Sequence, residues 1–117
     1  MVRKSDWETV EMPLQVTHFV IEKDFSKKEM RCIKRGFRPQ EMEDKWFLCY
    51  SKGKLYCYRS WTGYCIFIID FSEKGKLHVT ANRNPEQWTD NFLVTDDENL
   101  VSALLKMLVT QNAIRKD

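Results

Sequence analysis

Arg59-Ser60-Trp61-Thr62-Gly63-Tyr64 puts a guanidinium, two hydroxyls and two large aromatic rings side by side at a glycine-bearing junction between two apolar runs. Buried strands account for the apolar residues on either side, but they do not require Arg, Trp and Tyr together at a turn. A guanidinium presents a planar fork of donors suited to phosphate or carboxylate. Tryptophan and tyrosine offer faces on which a base can stack. A second polar group, Asn82, Arg83, Asn84 and Gln87, follows the next alternating run. In an antiparallel meander the strand ends bearing these two groups fall at one end of the sheet, so the groups should converge. The expected site therefore has Arg59 and Arg83 on phosphate, Trp61 or Tyr64 stacked on a base, and Ser60, Thr62 and Asn82 orienting a ribose. The alternative is structural: Trp61 and Tyr64 cap the core and Arg59 pairs with an acid such as Glu43.

Catalytic groups are sparser. Glu41, Glu43 and Asp44 precede an apolar run, a place suited to general acid–base carboxylates, although surface turns are commonly acidic. A cysteine–histidine pair would need Cys57 or Cys65 beside His78. No Gly-rich phosphate loop, G-x-S-x-G or H-E-x-x-H is present. His18 and His78 lack ligand-like spacing to the cysteines, which argues against a zinc site; Glu41, Glu43 and Asp44 could also clamp a metal, but the expectation is no metal and no cofactor.

The elements that must position these residues can be read in order. Residues 1–13 mix charges with Trp7, Val10 and Met12 without a period, which predicts an extended or partly ordered arm. Residues 15–22 are rich in β-branched and aromatic types, as in a strand. Ser26-Lys27-Lys28-Glu29 is a capping box that opens a short helix, and Gly36 ends it. Residues 45–50 and 54–59, joined by Ser51-Lys52-Gly53, form a hairpin. Residues 63–71 are almost continuously apolar, as befits a strand covered on both faces at the sheet centre. Residues 76–83 alternate, with Leu77, Val79 and Ala81 facing the core and His78, Thr80 and Asn82 facing outward or towards a site. A loop over 84–91 carries Trp88. Thr95-Asp96-Asp97-Glu98 is a second capping box, and Leu100, Val101, Leu104, Leu105, Leu108 and Val109 form the stripe of a closing helix. The tail from Ile114 to Asp117 should fray. The expected architecture is α+β, a twisted, mostly antiparallel meander of four to five strands packed against a short helix and a C-terminal helix.

The strings R-P-Q-E-M-E-D-K-W-F, L-Y-C-Y-R-S-W-T-G-Y-C-I-F and N-R-N-P-E-Q-W resemble those of a family of small bacterial and phage proteins. Modules of that family sometimes accompany macro-type or ADP-ribosylglycohydrolase domains. The resemblance implies a connection with NAD-derived nucleotides, such as ADP-ribose or a cyclic relative, and a setting in bacterial or phage defence.

The totals limit the alternatives. A chain of 117 residues suffices for one domain with a modest core. Nineteen basic and seventeen acidic residues leave a net charge of +2, which provides no wide basic surface for nucleic acid. The start lacks an apolar signal region, and no stretch is apolar enough to span a membrane, so a cytoplasmic protein with reduced cysteines is expected. The reading that follows is a non-catalytic binding module for a small nucleotide. Its alternatives are a protein-binding inhibitor or immunity-type partner anchored on Trp7, Trp61 and Trp88, and a small nucleotide hydrolase using Glu41, Glu43 or Asp44. A homo-oligomer is compatible with each.

Overall fold

The computed structural model describes residues 1–88 and 94–113, with backbone alone at Val94 and Thr95. The chain forms a single 3-10 turn (Lys4–Asp6), then β1 (Val16–Glu22), α1 (Lys27–Arg35), β2 (Trp46–Ser51), β3 (Lys54–Arg59), β4 (Cys65–Asp70), β5 (Lys76–Asn82) and α2 (Val94–Ala113). The expected fraying tail, the end of the 84–91 loop and the Thr95 cap side chain lie outside the described residues.

The five strands make one sheet in the order β1-β5-β4-β3-β2, with every neighbouring pair antiparallel. β2 to β5 are the predicted meander, and β1 lies beside β5. β4 is central, as its unbroken apolar run requires. The architecture is α+β, as the alternation of periods indicated. Among the described residues no helix is long and apolar enough to cross a membrane.

α1 begins where its capping box predicts. Ser26 Oγ accepts from the Glu29 amide at 3.1 Å, and Glu29 Oε1 accepts from the Ser26 amide at 2.9 Å. It ends at Gly36, whose φ is +70° and where a Cβ would stand 2.3 Å from the Leu48 carbonyl oxygen. Asn112, buried in α2, donates from Nδ2 to the Cys32 and Gly36 carbonyls at 2.8 and 3.2 Å. It thereby satisfies oxygens that the end of α1 leaves unpaired and fixes one helix on the other.

Both faces of the sheet carry apolar packing, by different means, the second only over β2 to β4. One carries the helices: Leu48, Leu55, Phe67, Ile69 and Val79 pack with Ile33 of α1 and with Val101, Leu104, Leu105 and Leu108 of α2. On the other, Phe47, Cys49, Tyr58 and Cys65 are sealed by Val2, Trp7 and Met12. The first thirteen residues, expected as an extended or partly ordered arm, run as a strap packed on this face. The Val2 amide donates to Arg35 O at 3.0 Å, the Val10 amide to Gly63 O at 2.8 Å, and Trp7 stacks on Phe47 with centroids 5.8 Å apart. A strap that packs through isolated side chains has no helical or strand period, so periodicity could not reveal it.

A β-bulge divides these two cores. Cys57 is opposite Phe67 but Tyr58 is opposite Cys65, leaving Ile66 as the extra residue. It turns Cys65 toward the strap while Ile66 and Phe67 belong to the helix-side core.

Candidate functional site

The turn between β3 and β4 closes through two backbone bonds, from the Gly63 amide to Arg59 O at 2.8 Å and from the Arg59 amide to Tyr64 O at 2.9 Å. Ser60 is almost fully buried and has a tying role. Its Oγ donates to Asp44 O at 2.7 Å, its amide to Lys45 O at 2.8 Å, and its carbonyl accepts from Trp7 Nε1 at 2.9 Å. Three segments thus meet on one residue: the turn, the strap and the link before β2.

Trp61 stands out from this anchor, 67% exposed. Its Nε1 donates to Met42 O at 3.1 Å, and the Lys45 ammonium lies 4.3 Å from its ring centroid. A large indole held in place while facing water is not explained by the core. Beside it an open cleft of about 370 Å³ runs between Asp6, Trp7 and Glu8 of the strap and residues 60–63 of the turn. Two acidic residues, Asp6 and Glu8, line it, the Asp6 carboxylate also accepting from the Arg3 amide at 2.9 Å, and among the described residues no basic one does. Thr62 is exposed on the rim, its Oγ1 accepting from the Tyr64 amide at 3.3 Å. Val10 and Met42, 42% and 74% exposed, flank the cleft through the Gly63 and Trp61 hydrogen bonds.

The strand ends do converge as the meander implies, since Asn82 Nδ2 reaches Cys65 O at 2.8 Å. The side chains nevertheless divide between the two faces of the sheet. Arg59 lies on the helix side, its guanidinium 4.8 Å from the Trp46 ring and 5.7 Å from the Trp88 ring. Tyr64 is half-buried against the same core. Asn82 is fully buried instead of facing outward, and it also donates to Gln87 Oε1 at 2.9 Å and accepts from the Asn84 amide at 2.8 Å. Arg83 forms an ion pair with Asp97 of α2 and donates to Asn82 O at 3.1 Å. The physical reason is the turn: β3 ends at Arg59, and Trp61 lies in the turn beyond it, closed by the Gly63 amide on Arg59 O, where the strand's two-residue alternation, which would set Arg59 and Trp61 on one face, no longer applies. Ser60, Trp61 and Thr62 come together at the cleft, while Arg59, Tyr64, Asn82 and Arg83 are engaged across the sheet.

Of the three tryptophans considered as anchors, only Trp61 is exposed; Trp7 is half-buried and Trp88 buried. Asp44 spends its carboxylate on the turn, accepting from the Gln40 and Glu41 amides at 2.9 and 3.1 Å. Glu41 and Glu43 are exposed. Among the described residues no group of three His, Cys, Asp or Glu side chains could hold a metal ion. His78 bonds to Glu73 at 2.7 Å, which holds the Glu73 carboxyl below its usual range.

All four cysteines are free and buried. Burial raises the Cys65 thiol from 9.0 to about 12 and pushes Cys57 well above its ordinary value, with each other's proximity adding to Cys57. The unfolded chain therefore ionises these thiols before the folded one does. Their contribution to stability is intact below pH 9.0 and declines as pH climbs toward about 12. Urea midpoints measured under reducing conditions should fall between about pH 8 and about pH 10.5, and Cys65→Ala should flatten part of that fall.

The residues that sequence reasoning left out are Asp6 and Glu8, which with Trp7 form the strap wall of the cleft. Their only signal is an indole flanked by acids in Asp6-Trp7-Glu8. No protein-family model, curated protein or solved structure matches the chain.

Proposed function

We propose that this protein is a non-catalytic binding module that docks a polypeptide partner at the Trp61 cleft, taking a basic side chain of that partner between the indole and the carboxylates of Asp6 and Glu8. The observation that carries this reading is the pairing of a hydrogen-bonded, water-facing indole with the acidic residues Asp6 and Glu8. Tryptophan is the commonest anchor of protein interfaces. A partner's arginine or lysine gains a carboxylate and the part of the ring that Lys45 leaves uncovered. Val10 and Met42 add apolar surface at the rim.

A small nucleotide such as ADP-ribose is the second reading, favoured by the Lys45 ammonium over Trp61. A base stacked on the free part of the ring would have one cation near its phosphate. Arg59 and Arg83 would have to leave Trp46, Trp88 and Asp97 to contribute, which weighs against it.

Calorimetry with a short arginine- and lysine-rich peptide, a glutamate-rich peptide and ADP-ribose separates the two. The basic peptide should bind and the acidic one should not. Trp61→Ala should weaken binding by about 30-fold or more, the cost of an aromatic anchor of about 2 kcal/mol. Stability should move by less than about 1 kcal/mol because the side chain is largely exposed. Glu8→Gln should reduce both the affinity and its salt dependence. ADP-ribose binding with no response to the basic peptide would replace this reading with the second.

A further inference from the structure

We propose that the chain self-associates through the open edge of β1, a second copy pairing antiparallel with it about a two-fold axis at Val20, so that one sheet runs through both copies. β1 is an edge strand of the sheet, and among the described residues β5 is its only strand neighbour. The direction of its backbone groups follows from two bonds just beyond its ends. The Arg83 amide donates to Gln15 O at 2.8 Å, and the Lys23 amide donates to Gly75 O at 3.1 Å. In an antiparallel ladder alternate residues turn both N–H and C=O toward the same neighbour. The odd-numbered residues from Gln15 to Lys23 therefore face β5. Val16, His18, Val20 and Glu22 direct theirs away from the sheet, and these groups have no hydrogen-bond partner among the described residues.

Sheet edges of soluble proteins are usually guarded by lysine, proline, a bulge or a covering segment. Val16–Glu22 contains no lysine or proline, its register with β5 is unbroken, and among the described residues no strand or bridge pairs with its outer edge. The other edge of the same sheet is guarded. Phe37 bridges to Leu48 of β2, with the Phe37 amide donating to Leu48 O at 2.8 Å and the Leu48 amide to Phe37 O at 2.9 Å.

The occupant is a second copy because the strand is its own complement. Pairing about Val20 sets Val20 against Val20, with this exposed apolar side chain meeting its equal in a hydrogen-bonded pair. His18 of each copy falls opposite Glu22 of the other, and Phe19 opposite Ile21. On one face the two His18–Glu22 pairs flank the Val20 pair, and on the other apolar meets apolar. One strand pair buries little area, so the dimer belongs to the weak class that forms at high-micromolar concentration.

Sedimentation equilibrium from low to high micromolar concentration tests this. The average mass should rise from the 14.0 kDa of one chain toward twice that value. Val20→Pro removes an amide that faces away from β5, so it costs the monomer no ladder bond. Its thermal midpoint should stay near wild type while dimerisation weakens by about thirtyfold, the loss of two interstrand hydrogen bonds. Glu22→Lys should weaken the dimer by setting a cation opposite His18, and adding His18→Glu should restore it. A wild-type mass that stays monomeric throughout, or a dimer indifferent to Val20→Pro, would overturn the proposal. Failure of the charge exchange to restore the dimer would overturn the Val20-centred pairing.

Discussion

Arg83→Met should destabilise the protein by about 3–5 kcal/mol, the cost of leaving a buried charge without its partner. The Asp97 side chain is 4% exposed and the Arg83 side chain 16%, so solvent cannot take over the role of the guanidinium. Asp97 lies in the first turn of α2, where the exposed amides of a helix start favour an anion but offset only a fraction of that cost. The pair also joins the end of β5 to the start of the helix that closes the core, and Arg83 donates to Asn82 O at 3.1 Å. Replacing both partners, Arg83→Met with Asp97→Leu, removes the stranded charge and should recover most of the loss. Urea unfolding of the two single variants and the double variant gives the coupling directly. A single variant within about 1 kcal/mol of wild type would mean that the pair is solvated in solution.

Gly63→Ala should cost roughly 2–4 kcal/mol and abolish peptide binding as well. Gly63 has φ +76°, and a Cβ there would stand 2.4 Å from the Glu8 carbonyl oxygen and 3.3 Å from Thr9 Cα. Neither obstacle is the tip of a flexible side chain, so the strap has to lift. Lifting breaks the Val10 amide bond to Gly63 and the Trp7 bond to Ser60, and the cleft loses the wall that carries Asp6 and Glu8. The Val10 amide, protected by its 2.8 Å bond to Gly63 O in the native chain, should exchange with solvent much faster in this variant. Protection at wild-type level would show that the strap tolerates the methyl group.

The helices and strands were legible because each carries its own period or punctuation. Ser26 and Glu29 cap α1 as their spacing implies, the Ser51-Lys52-Gly53 turn joins β2 to β3, and the apolar run 65–70 occupies the sheet centre. The strap was not legible, because Val2, Trp7 and Met12 make their contacts across sequence separations that no local pattern encodes. The same limit governed the site. The composition of residues 59–64 marked the turn, but which face each side chain takes depends on where β3 stops, at Arg59, and on the Ile66 bulge that follows. The turn therefore divides: Trp61 goes to the cleft and Arg59 to the cage of Trp46 and Trp88. Asn82 reads as an outward position by alternation alone. Its burial follows from the Cys65, Gln87 and Asn84 groups that need its amide, a demand visible only once the strands are assembled.

The indole N–H resonances of the four tryptophans report on the two faces of the sheet separately, with Trp7 and Trp61 at the cleft and Trp46 and Trp88 on the helix side. Titrating the 15N-labelled protein with the arginine- and lysine-rich peptide should shift the Trp61 and Trp7 signals and leave those of Trp46 and Trp88 in place. Shifts confined to Trp46 and Trp88, or no shift at Trp61 at saturating peptide, would contradict the assignment of the cleft as the binding site.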